Sequence, residues 1–104
     1  MKVSPMENYW STRCSNQYVV VADGDGTFKK GPAGWQLERL GTGVYEITHN
    51  LGTTEYAPVP FTTVGADYKS QAEIQDKSAN TVRIGVYVSA QAADQDFALL
   101  ILTL

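Results

Sequence analysis

Two closely spaced carboxylate pairs are the side chains of this sequence that could most readily do chemistry. Asp23 and Asp25 stand two positions apart, and Asp94 and Asp96 repeat that spacing near the other end of the chain. A glycosidase uses two carboxylates about 5–10 Å apart across a cleft as acid and nucleophile or base. Both pairs fall where turns are expected, and Asp is common in turns. We therefore expect solvated turn residues, and we predict that the protein is not an enzyme.

The first of these runs also looks like the beginning of a calcium loop. An EF-hand loop carries oxygen ligands at positions 1, 3 and 5 and a bidentate Glu at position 12. Counting from Asp23, Asp25 and Thr27 fit the early positions, but position 12 is Gly34. Asp and Gly are also the residues that hairpin turns require. The run is therefore interpreted as a turn, and no metal site is predicted.

His49 is the only histidine in the chain. A zinc centre or a catalytic triad needs further ligands or a nucleophile and an acid that converge on the imidazole. None of the familiar spacings of such partners occurs, so no catalytic residue and no cofactor is predicted. We expect a structural histidine at the end of a strand, bonded to the backbone of the 50–52 turn.

The aromatic residues are numerous for a chain of this length, and some of them are candidates for carbohydrate binding. A sugar site needs a flat aromatic face and polar groups that bond hydroxyls. Tyr56 and Tyr68 border predicted loops, Asp67 lies beside Tyr68, and Tyr87 shares its strand face with small and polar residues. These four are the predicted ligand-binding residues. The alternative is that tyrosine is simply a good strand residue with a half-buried ring and a wet hydroxyl.

Composition limits the classes of function. The chain has 104 residues and a net charge of −3, which indicates one domain over residues 1–104, with residues 1–7 as a loose lead-in. Its basic residues form no stripe, so nucleic acid is not a predicted partner. The most apolar run, residues 97–104, is far shorter than the roughly 20 residues of a membrane-spanning helix, so no membrane insertion is expected. The single cysteine, Cys14, is predicted to be a small buried side chain of a protein folded in a reducing cytoplasm.

Alternating apolar and polar side chains predict short strands and little helix. Two prolines in one stretch indicate an edge strand or an irregular extended segment, because proline has no N–H to donate to a neighbour. Residues 90–96 could hold a single helical turn. We therefore predict an all-β antiparallel β-sandwich of about seven or eight short strands. The predicted strands are residues 9–14 and 17–22, a hairpin of 35–40 and 44–50 over Gly41-Thr42-Gly43, the proline-containing 55–64, a pair of 70–75 and 81–89, and 97–104.

The last predicted strand is apolar on both of its faces. One face of such a strand can be covered by the core of its own domain, and the other face needs a second cover. In so small a domain, another copy of the chain is the natural cover. The sequence therefore predicts an oligomer whose interface includes Leu99, Leu100, Ile101 and Leu102.

A 22-residue stretch resembles modules of bacteriophage tail-fibre and tail-tip proteins. It reads W-x-L-x-R-L-G-T-G-V-Y-x-I-T-H-N-L-G-T-T-x-Y from Trp35 to Tyr56, and the run Asp94-Gln95-Asp96-Phe97 matches a D-x-D-F ending that such modules often carry. The resemblance implies a β-sandwich somewhat like H-type lectin domains, assembled as a homotrimer at a fibre tip. It implies a virion protein, made in the host cytoplasm, that contacts other tail proteins and attaches to a glycan or protein of the bacterial surface. The alternative function is a virion decoration or adaptor protein that binds no receptor.

Overall fold

The computed structural model describes residues 17–63 and 65–103. These residues form nine strands and no helix, which confirms the predicted all-β antiparallel sandwich and adds one strand to the predicted number. The predicted strand at 9–14 and the lead-in at 1–7 lie outside the described residues. The strands are β1 Gln17–Ala22, β2 Phe28–Lys30, β3 Gln36–Gly41, β4 Val44–Thr48, β5 Tyr56–Thr62, β6 Ser70–Lys77, β7 Thr81–Val88, β8 Gln91–Ala92 and β9 Phe97–Thr103.

The strands make two antiparallel sheets. The first sheet has the order β2-β1-β9-β5, and the second has the order β3-β4-β7-β6, with the short β8 paired to β7. Strands β1 and β9 are central in the first sheet and β4 and β7 in the second, and each has a hydrogen-bonded neighbour on both sides. Strands β2 and β3 are edge strands of opposite sheets, and the chain passes directly from one to the other.

The core lies between the two sheets and is built from alternate residues of the central strands. A strand sends successive side chains to opposite faces, so one apolar residue in two is enough to fill this layer. Tyr45 and Phe97 provide the largest side chains, with ring centroids 4.8 Å apart. The buried hydrophobic residues are Val20, Ala22, Tyr45, Ile47, Tyr56, Val82, Ile84, Val86, Phe97, Leu99 and Ile101.

The predicted hairpin between β3 and β4 is confirmed, and it requires glycine at one position. Gly43 has a φ of 70°, and a Cβ there would lie 2.4 Å from the carbonyl oxygen of Val86 and 2.8 Å from the amide nitrogen of Ala93. The carbonyl of Gly43 accepts a 2.7 Å bond from the amide of Val86. Backbone atoms therefore hold the hairpin loop against β7, and the approach is too close to leave room for a side chain at position 43.

The proline-containing strand is at an edge, as predicted. β5 pairs only with β9 in the first sheet, with Pro58 opposite Ile101 and Pro60 opposite Leu99. Residues two apart on a strand direct their amides to the same side. Two prolines at this spacing therefore remove donors from one side of β5 alone, which an edge strand tolerates.

The helical turn predicted at 90–96 is wrong. Residues Gln91–Ala92 instead pair back on β7, with Val88 opposite Gln91. The two residues between them, Ser89 and Ala90, have φ values of 51° and 69°. Two consecutive positive φ values are the mark of a type I′ hairpin turn, which matches the twist of the paired strands. The turn was missed because neither residue is the Asn or Gly that normally signals it.

Candidate functional site

Tyr56, one of the four predicted ligand-binding residues, is enclosed by the protein. Its exposed fraction is 4%, and its ring meets the His49 ring edge-on at 4.8 Å. Its hydroxyl donates to the carbonyl of Ser78 at 2.7 Å and lies 3.1 Å from the carbonyl of Thr81. An enclosed ring has no free face for a sugar, so the prediction for Tyr56 is corrected to a structural role.

His49 completes this buried network, as the sequence predicted for a histidine at a strand end. Its Nδ1 accepts a 3.0 Å bond from the amide of Leu51, so the ring proton of the neutral form is on Nε2. Nε2 then donates across 3.0 Å to the hydroxyl of Tyr56. Burial lowers the pKa of His49, so the ring is neutral and fully bonded at neutral pH. Such a histidine is a structural residue with no nitrogen left for a metal or substrate.

Tyr87 lies half-buried on the outer face of the second sheet. Its hydroxyl accepts a 3.0 Å bond from Nε2 of Gln75. A Cβ at Gly85 would lie 2.3 Å from Nε2 of Gln75 and 2.9 Å from that hydroxyl, so the two side chains occupy the space that glycine leaves open. This packing gives Tyr87 a structural reason to be present.

Asp67 and Tyr68 lie in the loop that joins β5 to β6. Asp67 shapes the loop, because its Oδ1 accepts a 2.8 Å bond from the amide of Lys69 and its own amide donates to Oε1 of Gln95 at 2.7 Å. Tyr68 is 88% exposed, the highest value among the large hydrophobic side chains of residues 17–63 and 65–103. The structure therefore brings two of the four predicted residues together on a free surface, while Tyr56 lies at the opposite end of β5.

Asp94 is a structural link between three segments. Its Oδ1 accepts bonds from the amide of Gly43 at 2.8 Å and from the hydroxyl of Tyr45 at 3.1 Å. Its Oδ2 lies 2.9 Å from Nε and 2.8 Å from Nη2 of Arg39. The Arg39 guanidinium is the main cause of the lowered pKa of Asp94. A carboxylate with four donors around it is a weak base, and it has no free oxygen for acid–base catalysis.

The other carboxylates of the two pairs are engaged in the same way. Oδ1 of Asp96 accepts a 2.9 Å bond from the amide of Gly24, and Nζ of Lys29 lies 3.1 Å from Asp23 and 3.6 Å from Asp96. Asp25 accepts bonds from the amide and hydroxyl of Thr27 at 3.1 Å and 2.6 Å, which is the geometry of a turn. Over residues 17–63 and 65–103, no group of three or more His, Cys, Asp or Glu side chains is arranged to hold a metal ion.

An open groove runs between the edge strands β2 and β3. Its volume is about 530 Å³. Phe28 and Trp35, both half-buried, are its two aromatic residues, and they flank the turn at 31–34. We call this surface the Phe28–Trp35 groove. It is lined by Gly26, Thr27, Phe28, Trp35, Gln36, Leu37, Glu38 and Thr48.

The Trp35 ring is held in position by other rings. Its centroid lies 5.1 Å from that of Tyr18 and 5.7 Å from that of His49, and both pairs are tilted. A fixed aromatic surface beside Thr, Gln and Glu residues combines the two elements that sugar recognition needs. Sequence analysis missed this groove. The available signal was the placement of one aromatic residue on each side of the Gly31-Pro32-Ala33-Gly34 turn.

A second depression of about 470 Å³ lies on the other open side of the sandwich. Lys77 dominates it: Nζ donates to the carbonyl of Tyr56 at 3.0 Å and lies 5.0 Å from the centre of the Tyr56 ring. The rest of the lining comes from the residues just before β5, from the start of β5 and from the end of β9, including Leu102. The Lys77 ammonium group is already bonded to the protein. This depression therefore has fewer free groups for binding a ligand than the Phe28–Trp35 groove has.

Comparisons with protein-family models, with curated proteins and with solved structures find no match for this chain. The described residues include no helix that is long and apolar enough to cross a membrane. The geometry of the chain's own residues therefore carries the functional argument.

Proposed function

We propose that this protein is a non-enzymatic, carbohydrate-binding module of a bacteriophage tail, which attaches the virion to a glycan on the bacterial surface. The resemblance of residues 35–56 to tail-fibre modules supports the phage setting. The Phe28–Trp35 groove is the observation that carries the binding role, because it joins two half-buried aromatic rings to polar side chains in an open cleft.

Binding in this groove needs no chemical step. A sugar ring stacks on the aromatic surface, and its hydroxyls bond to the side chains and backbone of the polar lining residues. An open cleft encloses only part of a sugar, so the affinity of one site is low. Several modules on one virion raise the overall affinity through effective concentration. The Asp23/Asp25 and Asp94/Asp96 pairs are bonded to neighbouring residues, which supports a role without hydrolysis.

The test is binding to an array of purified bacterial lipopolysaccharides and capsular polysaccharides. We expect a subset to bind, and we expect Phe28→Ala to weaken that binding at least about tenfold, as the loss of one stacking ring implies. Phe61→Ala is the control, because it removes a more exposed phenylalanine from β5, at the opposite edge of the same sheet and away from the groove. Thermal unfolding of each variant confirms that it is folded.

Two results would reject the groove as the site. If Tyr68→Ala abolishes binding and Phe28→Ala leaves it unchanged, the loop with Asp67 and Tyr68 is the binding site. If no bacterial glycan is bound by the folded protein, the carbohydrate role is wrong.

A second candidate function is a virion decoration or adaptor protein. It is favoured by one observation: the outer face of the first sheet carries exposed apolar side chains, including Val19 and Phe61 at 48% and 47% exposure. An adaptor is expected to sediment with purified tails or capsids and to leave host cells unbound, whereas a receptor-binding module shows the reverse.

A further inference from the structure

The outer face of the first sheet is apolar across its three longest strands. The pairing of β1, β9 and β5 places Val19, Leu100 and Val59 in one row and Val21, Ala98 and Phe61 in the next. A third row holds Gln17, Leu102 and Ala57. Eight of these nine outward residues are apolar, and four of them are large hydrophobics at 36–48% exposure. We call these nine residues the apolar face.

The three leucines and the isoleucine of β9 separate into two groups. Leu99 and Ile101 are fully enclosed between the sheets, so the prediction that they contact a partner is corrected: they fill the core of their own domain. Leu100 and Leu102 lie in the rows of the apolar face. The predicted interface therefore keeps only the outward-facing residues of the strand, Leu100 and Leu102.

The outer face of the second sheet is charged by contrast. Glu38, Glu46 and Arg83 form one row across β3, β4 and β7, and Glu73 is exposed on β6. The chain carries a net charge of −3, so the net electrostatic interaction between two copies is repulsive. When two copies meet through the same charged face, side chains of like charge come close together. The apolar face has no charged member among its nine residues, so it is the surface where copies can meet without this repulsion.

The edges of the first sheet are poorly suited to pairing with another copy, which leaves the apolar face for such contact. Pro58 and Pro60 remove donors from the free side of β5, and β2 at the opposite edge has three residues. Neither edge is suited to receive a strand from another copy. Copies that cover the apolar face must therefore pack on it with side chains and cannot extend the sheet.

We propose that the apolar face is covered by other copies of this chain. Three strands about 4.8 Å apart make a face about 14 Å wide, and three such faces around a common axis enclose a prism with an inner radius of about 4 Å. Packed sheets lie about 10 Å apart, so each contributes a side-chain layer of about 5 Å. The two lengths nearly agree, so three copies fill the space around the axis, with Leu100 of the central strand directed toward it.

The size of the face predicts a weak association. Seven residues of strand by three strands give a footprint of about 300 Å² per copy, which is the size of a functional apolar patch. A stable complex commonly buries about 800 Å² per partner. The oligomer is therefore expected to form in the micromolar range and to dissociate on dilution.

The experiment is sedimentation velocity of the full chain, with light scattering, between about 10 µM and about 500 µM. We expect the mass to rise toward three times the 11.4 kDa of one chain. Leu100→Lys and Val59→Lys should each remain at one chain over this range. Val59 is 36% exposed on an edge strand, so this variant keeps the test valid if Leu100→Lys does not fold.

Gln71→Lys is the matched control, because it adds the same charge at an exposed position on the second sheet, and it should retain the parent's mass. A parent that stays at one chain at the highest concentration overturns the proposal. So does an oligomer that both apolar-face variants retain. A two-chain species that Val59→Lys dissociates supports the interface and rejects the threefold arrangement. Glycan binding is measured separately, so either proposal can fail alone.

Discussion

At the scale of single residues, the Tyr45 hydroxyl connects the core to the loops at one end of the sandwich. The ring is fully buried, and its hydroxyl lies 2.7 Å from the carbonyl of Gly24 and 3.1 Å from Oδ1 of Asp94. We expect Tyr45→Phe to reduce the free energy of unfolding by about 1–3 kcal/mol, because the one hydroxyl proton that these two partly buried acceptors share is lost. Urea denaturation measures the change. Tyr68→Phe, at a solvent-exposed ring, should alter it little, and equal effects of both variants would contradict this role.

His49 gives the protein a pH-dependent stability. Its pKa is lowered by burial, so the folded state keeps the ring neutral while the unfolded chain binds a proton near pH 6.5. The unfolded state therefore holds more protons below that pH, and stability falls as the pH falls from 7 to 5, by at most about 1.4 kcal/mol per unit. Denaturation at several pH values checks this. His49→Gln should have a lower stability at pH 7 and a flatter profile, and an unchanged slope would refute the assignment.

The contrast between His49 and Tyr56 shows what residue types alone can predict. The sequence predicted the bond of His49 to the following turn, because a lone histidine at a strand end has its own backbone close by. It could not predict that Tyr56 would be the partner of that histidine. His49 directly follows β4 of the second sheet, whereas Tyr56 begins β5 of the first sheet. The carbonyls near the Tyr56 hydroxyl belong to a third segment, at Ser78 and Thr81.

At the scale of elements, local patterns predicted most of the strands but did not predict one of the turns. The β3–β4 hairpin has glycine where a positive φ is needed, and glycine was visible in the sequence. The β7–β8 turn places Ser89 and Ala90 at positive φ with no such signal. Pairing of β8 with β7 compensates there for unfavourable backbone angles, and a tertiary compensation of this kind has no local pattern.

This turn offers a stabilising substitution. Ala90 has a φ of 69°, where a Cβ costs about 1–2 kcal/mol. We expect Ala90→Gly to raise the free energy of unfolding by about 0.5–1 kcal/mol, since part of the gain is offset by the greater freedom of glycine in the unfolded chain. Ala92→Gly is the control within β8 and should lower stability or leave it unchanged. A loss of stability in Ala90→Gly would show that the turn is not strained.

The β3–β4 hairpin predicts the opposite response. Gly43→Ala places a Cβ 2.4 Å from a carbonyl oxygen of β7 at a positive φ, so the hairpin loop must move away from β7. We expect a loss of at least about 2 kcal/mol, from strain together with the bond that the Gly43 amide donates to Asp94. Gly34→Ala, also at a positive φ but with open space around it, is the matched control and separates backbone strain from the steric clash. Equal losses in the two variants would leave no role for the contact with Val86.

At the scale of the whole molecule, the sandwich could be predicted from strand patterns, while the functional surfaces could not. The Phe28–Trp35 groove exists because β2 and β3 are edges of different sheets on the same side. Strand order is a property of the complete fold, and the sequence of either strand does not contain it. The apolar face has a similar origin: the pattern of β9 predicted a second cover, and only the register with β1 and β5 shows which residues form it.

The same topology predicts where the molecule opens. Every amide of β7 and β9 points to a neighbouring strand, because both strands are central in their sheets, and their inward side chains fill the core. β2 and β8, with three and two residues, have one neighbour each. In native-state hydrogen exchange we expect amides of Ile84 and Leu99 to exchange at least about 100-fold more slowly than those of Lys29 and Gln91, since the former require global unfolding. If Leu99 exchanged as fast as Lys29 while Ile84 stayed protected, the first sheet would open independently of the second, and the sandwich would not unfold as one cooperative unit.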